Sequence, residues 1–290
     1  MHLLPLALGQ PHQLLPPRTA MRERVVIKWG GGLITDKTTI CTPQLTTIDQ
    51  LAMAVKKCVD DGVDVILVHG AGSYGHLRAR HWRLNEGRVA EGISPDGQCT
   101  TQQEAVMCVR KDMLELNSHV CSALSALDIP TSVHPPHQWA KGTGANFSGN
   151  LDRFAVSPGC VAVTFGDVVD TDDERLFGIL SGDDLVYRLA TEVPSVKRLV
   201  FAIGGVDGLL RVPPEQATSD DLIEEWSPSI AFEGTHHSEI DVTGGIGLKA
   251  ARGAQAAAHG VEVHMVNGGY ADRVYNACMG LPVLGTRVVR

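Results

Sequence analysis

Apolar residues follow two rhythms along this chain, and the rhythms alternate. "VVIK" at 25–28 and "VDVILV" at 63–68 are short, nearly unbroken apolar runs. Such runs predict strands covered on both faces, as in a parallel sheet. Between them, "TPQLTTIDQLAMAVKKCVDDG" has a helical period, with Leu45, Ile48, Leu51, Ala52, Val55 and Val59 on one face. Its end signals put Thr42 at the N-cap, Pro43 at the first helical position and Gly62 just past the last turn. The unit is β-α-β, for which a right-handed crossover is expected.

The alternation continues. A helix is predicted over 102–127, with Val106, Val109, Met113, Leu116, Val120, Leu124 and Leu127 as its apolar stripe. Strands are predicted at 161–165, 198–203 and 261–266, helices at 181–192 and 247–259, and an edge strand in the closing "GTRVVR". This order implies an α/β fold with a mainly parallel sheet. Segment 207–240 is polar and irregular, the expected place for loops over a site.

Glycine clusters fall where strands end or a helix starts: Gly30, Gly31 and Gly32; Gly70, Gly72 and Gly75; Gly204, Gly205 and Gly208; Gly244, Gly245 and Gly247. In an open parallel sheet, ligands bind beyond the carboxyl ends of the strands. One glycine cluster is most simply a tight turn. Four of them with lysines alongside point to an anion cradled by backbone N–H groups. Lys28 ends a strand, Lys37 follows "GGGLITD", and Lys249 lies in the helix that "DVTGGIG" opens. Lys28 is preceded by apolar strand residues, where a charge needs a partner.

Familiar phosphate motifs fit poorly. "TGGIGLKA" lacks P-loop spacing, and "GAGSYG" has no acidic residue about 20 positions on at a strand end, since Glu91 sits in a polar stretch. His69 and His76 flank the second glycine loop, with no Cys or third His at zinc-ligand spacing; no protein metal ligand is assigned. His69 reads as a structural hydrogen-bonder, and His76 as either a helix-start residue or a hydrogen-bond donor to a phosphate. His236 and His237 read as a solvated loop. Asp183 and Asp184 suit a helix N-terminus, and Asp183 could instead orient a lysine.

Composition narrows the classes. With 290 residues, one or two domains are expected. The formal net charge of −8 argues against nucleic acid or an anionic membrane as partner. Seven scattered cysteines without a C-x-x-C pair suit free thiols in a reducing cytoplasm. No apolar run approaches the roughly 20 residues that span a bilayer. Residues 1–20 read as a disordered tail or an over-extended start ahead of Met21.

"IKWGGGLITDK", "VHGAGSYGH", "FGDVV", "LSGDDL", "VDG" and "DVTGGIGLK" occur in the order, and at about the spacing, of a known family. From Val25 to Arg290 the chain resembles the isopentenyl phosphate kinases of the amino acid kinase superfamily, and "SYGH" is the most discriminating piece. The resemblance implies a three-layer αβα sandwich, with a substrate-side lobe (21–195) and a nucleotide-side lobe (196–290) in one continuous fold, usually a homodimer. It implies transfer of the γ-phosphoryl of ATP, with Mg2+, to isopentenyl phosphate. By the same resemblance, Lys28, Gly30, Gly31 and Gly32 contact the transferring phosphates and Lys37 stabilises the transition state. Ala71, Gly72 and His76 hold the substrate phosphate, with Gly72 also near the nucleotide; Gly182 and Asp183 complete that side. Gly245, Lys249 and the Asp207 of "VDG" belong to the nucleotide. The sequence departs from the family pattern at Gly32 (usually Ser), Ala71 (usually Gly) and Gly204–Gly205 (commonly Thr-Asp).

The chemistry stands partly without the resemblance. A phosphate acceptor is already ionised, so its transfer needs positive charge and donors and no general base. Lysines and glycines alone do not fix the acceptor. Another phosphonate, phosphate, carboxylate or carbamate would suit the scaffold, as would a nucleotide-binding or anion-binding module without activity.

Overall fold

A computed structural model describes residues 22–36, 38–90, 92–232 and 245–290. Lys37, Glu91, His236, His237 and residues 1–20 therefore lie outside the described residues. In chain order the elements are β1 (Arg24–Trp29), α1 (Gly31–Ile34), α2 (Leu45–Asp60), β2 (Asp64–His69), α3 (His76–His81), α4 (Gln102–Ser125), β3 (Thr131–Val133), β4 (Val161–Phe165) and β5 (Asp167–Asp170). They continue with β6 (Phe177–Leu180), α5 (Gly182–Glu192), β7 (Val196–Ile203), β8 (Glu225–Trp226), α6 (Gly245–Ala258), β9 (Glu262–Asn267), α7 (Ala271–Met279) and β10 (Thr286–Val288).

One sheet runs β3-β4-β2-β1-β7-β9-β10-β8, and β5 pairs with β6 as a separate antiparallel hairpin. Strands from β3 to β9 are parallel; β10 is antiparallel to β9, and β8 follows the direction of β10. β1 and β2 are buried at every position, the charged Arg24, Lys28 and Asp64 included, as their central apolar runs require. Alternate side chains feed two cores. Val25, Ile27 and Trp29 join Leu67, Phe165 and Val200 on the face covered by α2, α4 and α7. Val26, Ile66, Val68, Leu199 and Phe201 face α5 and α6. Two covered faces make the three layers.

Three expectations are corrected. α2 begins at Leu45 with Gln44 at its N-cap, not at Pro43, because Pro43 forms an isolated bridge with Thr35 and stays extended. The chain terminus is not the edge: β10 lies between β9 and β8, and the two-residue β8 is outermost. β3, β8 and the β5–β6 hairpin are absent from the predicted elements; each is too short for a period to register.

Backbone pairing extends one residue past several strands. Gly30 N–H donates to Ala202 O at 2.9 Å, Gly70 N–H to Trp29 O at 2.9 Å, Gly166 N–H to His69 O at 3.1 Å and Gly268 N–H to Ile203 O at 2.8 Å. The glycine turns thus share one edge of the sheet, the carboxyl edge.

Candidate active site

A cavity of about 300 Å3 opens at that edge. Its lining includes Lys28, Gly30, Gly31, Gly32, Ala71, Gly72, His76, Gly182, Gly245 and Lys249. Residues far apart in sequence are collected there because α1, α3, α5 and α6 all start at this edge. Amides in the first turn of a helix have no partner within it, so these starts bring donors and partial positive charge to one place.

Lys28 is the last-but-one residue of β1 and is 5% exposed. A buried ammonium needs a counter-charge, and Asp183, in the first turn of α5, supplies it. Asp183 also takes Lys249 Nζ, at 3.3 Å, while Lys249 donates to the Gly245 carbonyl at 3.1 Å. Burial alone would raise the Asp183 carboxyl; Lys249 and Lys28 outweigh it and hold the group below the ordinary aspartate range. Ser181, not either aspartate, caps α5, accepting the Asp183 N–H. Two lysines share one carboxylate, which leaves a net positive centre. Gly182 gives the lysine room, since a Cβ there would stand 3.1 Å from Lys28 Cε.

The two glycine loops meet backbone to backbone. A Cβ on Gly31 would lie 2.3 Å from the Gly72 nitrogen, and Gly72 has φ +50°, which disfavours a side chain. These glycines are therefore packing devices. Val109 and Met113 of α4 line the same cavity with Leu77, Ala79, Val168 and Ile179, an apolar wall beside the charged slot.

His69 does not line the cavity. It is fully buried, its ring meets Gly70 O at 3.2 Å and Asn117 Oδ1 at 3.3 Å, and it stacks on Phe165 at 5.0 Å. That is the structural role its sequence position suggests. Asp207 also lies off the cavity lining, although Val206 is part of it. Its carboxylate accepts from Asn267 Nδ2 at 3.0 Å and from Arg273. Among the residues that sequence reasoning missed is Asp167. It lines the cavity, is 2% exposed, and accepts from His137 Nδ1 at 2.6 Å, His137 N–H at 3.1 Å and Val168 N–H at 2.8 Å. "FGDVV" flagged the stretch, but His137, in an irregular segment 30 residues away, gave no signal.

Fold and site together define an αβα protein with a glycine- and lysine-lined slot at the carboxyl edge of its sheet. The chain belongs to the amino acid kinase family, whose model matches residues 23–267. It is 28% identical over 273 residues to the isopentenyl phosphate kinase of Methanothermobacter thermautotrophicus, covering 91% of this chain and 98% of that one. With the isopentenyl phosphate kinase of Methanocaldococcus jannaschii it shares 25% identity, at 91% and 97% coverage. X-ray structures of isopentenyl phosphate kinase superpose with a TM-score of 0.74 at 26% identity, covering 92% of this chain and all of theirs.

Proposed function

We propose that this chain is an isopentenyl phosphate kinase, transferring the γ-phosphoryl of Mg-ATP to isopentenyl phosphate to give isopentenyl diphosphate and ADP. The observation that carries the reading is the composite cavity, in which Lys28 and Lys249, paired through the buried Asp183 behind them, and His76 share a lining with Leu77, Val109, Met113 and Ile179. A charged slot beside an apolar wall suits a phosphate with a short hydrocarbon tail. An amino-acid acceptor would need polar partners for its ammonium. Similarity to isopentenyl phosphate kinases over nine-tenths of the chain supports the same acceptor.

In this mechanism an oxygen of the acceptor phosphate attacks the γ-phosphorus in line, and the bond to the β,γ-bridging oxygen breaks. The acceptor is already an anion, so no residue need remove a proton. Lys28 and the amides of Gly31 and Gly32 neutralise the transferring group, with Lys37 as a further cation. Gly72, His76 and Gly182 hold the acceptor, and Lys249 with Gly245 holds the nucleotide phosphates. Asp183 keeps the two lysines in place. Asp183 is committed to lysines and Asp167 to His137, so Mg2+ would be held chiefly by the triphosphate oxygens and would supply charge neutralisation there. The reading extends to a substrate-side lobe at 21–195, a nucleotide-side lobe at 196–290, a homodimer, and the cytoplasm, where the free cysteines suit a reducing medium.

His76→Ala tests the assignment of the acceptor side. Turnover should fall about a hundredfold, as for loss of one oxyanion donor. The KM for isopentenyl phosphate should rise and ATP affinity by calorimetry should stay the same. An equal loss of ATP affinity contradicts the assignment.

A further inference from the structure

Two loops that pack against each other beside the slot are also joined by one hydroxyl. Thr35 ends α1 and is 2% exposed. Its Oγ1 donates to the Gly31 carbonyl at 2.8 Å and accepts the Ser73 N–H at 3.0 Å. Its own N–H donates to the same carbonyl at 3.0 Å. Gly31 belongs to the loop after β1 and Ser73 to the loop after β2, and both line the cavity. The fit is close, for a Cβ on Gly72 would lie 2.0 Å from Thr35 Oγ1. The chain beyond is pinned to the same loop: Cys41 N–H donates to Ser73 O at 3.4 Å, and Thr42 N–H to Ser73 Oγ at 3.4 Å.

A hydroxyl has one proton, so the bonds form a directed chain from the Ser73 N–H through Thr35 Oγ1 to the Gly31 carbonyl. With that carbonyl held toward the end of α1, the first-turn N–H groups of Gly31 and Gly32 point the opposite way along the axis, and both residues line the cavity. We infer that Thr35 is a positioning residue: its hydroxyl sets the separation between the donor-phosphate loop at Gly31 and the acceptor-phosphate loop at Gly72 and Ser73. This rests on the reaction proposed above. In-line transfer requires the reacting atoms nearly in contact, and a misplacement of about 1 Å can cost about a hundredfold in rate. Valine keeps the shape of threonine but neither donates nor accepts; serine keeps the hydroxyl.

The test compares Thr35→Val with Thr35→Ser in steady-state assays with Mg-ATP and isopentenyl phosphate. In Thr35→Val, kcat should fall about 30- to 100-fold while both KM values stay within about threefold, the pattern of a lost transition-state alignment. Thr35→Ser should keep kcat within about threefold of wild type. Wild-type kcat in Thr35→Val, or an equal loss in both variants, overturns the inference. If Thr35→Val does not fold, Thr35→Ala takes its place with the same expectation. A second readout needs no acceptor. A non-hydrolysable ATP analogue should slow amide exchange across residues 70–76 in wild type and not in the hydroxyl-free variant. Equal protection in both, or none in wild type, also overturns it. If wild type forms no isopentenyl diphosphate, the acceptor assignment alone fails, and the exchange result still decides the role of Thr35.

Discussion

His69 closes β2 one residue before the second glycine loop, and burial there pushes its pKa down to about 4. The folded chain holds it neutral while the unfolded chain, near 6.5, takes up a proton first. Stability from this residue is therefore present above about pH 6.5 and drains away as pH falls toward about 4. The loss between about pH 7.5 and pH 5 is about 2 kcal/mol. In denaturant titrations at those two pH values, His69→Gln should have a smaller pH-dependent drop than wild type, and parallel drops would refute the assignment. Asp183 behaves in the opposite region. Its carboxyl is held below the ordinary range by Lys249 and Lys28 against the penalty of burial. Its ion pairs are thus intact above about pH 3.9 and are lost only as pH falls through the lowered folded value. It stays an anchor for the lysines throughout the neutral range.

At the scale of elements, α6 must dock on α5 in register for Lys249 to reach Asp183. One turn further along α6, Arg252 Nε donates to Asp184 Oδ1 at 2.7 Å, a second rung of the same ladder. Asp184 is 4% exposed, and burial raises its carboxyl despite Arg252. Arg252→Met should cost about 3 kcal/mol, because it leaves that carboxylate buried without a partner. Adding Asp184→Leu should recover part of the loss in the same denaturation assay; additive losses would show the rung carries no coupling. The main strands and helices were legible because each has enough residues to display a period. Ser181 caps α5, where the two aspartates are the expected caps, and Thr101 caps α4 by accepting the Glu104 N–H. Pro43 misled because a tertiary bridge to Thr35 overrode its helix-start signal. The lysines and glycines of the site were legible from their places at strand ends. The pairing of Asp167 with His137, the Thr35 link and the apolar wall arise only when distant segments fold together, so no local spacing encodes them.

At the scale of the whole molecule, β1 sits inside one continuous sheet between β2 and β7. The loops after β1 and β2 therefore meet each other, and α5 and α6 approach from the opposite face. No helix among the described residues is long and apolar enough to cross a membrane. The sheet brings the Lys28–Asp183–Lys249 centre, the glycine amides and the apolar wall to one cavity, and the account stands on two phosphorylated molecules meeting there. The direct measurement is 31P nuclear magnetic resonance of the purified chain with Mg-ATP and isopentenyl phosphate. The account predicts that the phosphomonoester signal gives way to two coupled diphosphate signals, with ADP formed in equal amount. ADP without the new diphosphate, or an unchanged spectrum, would contradict it.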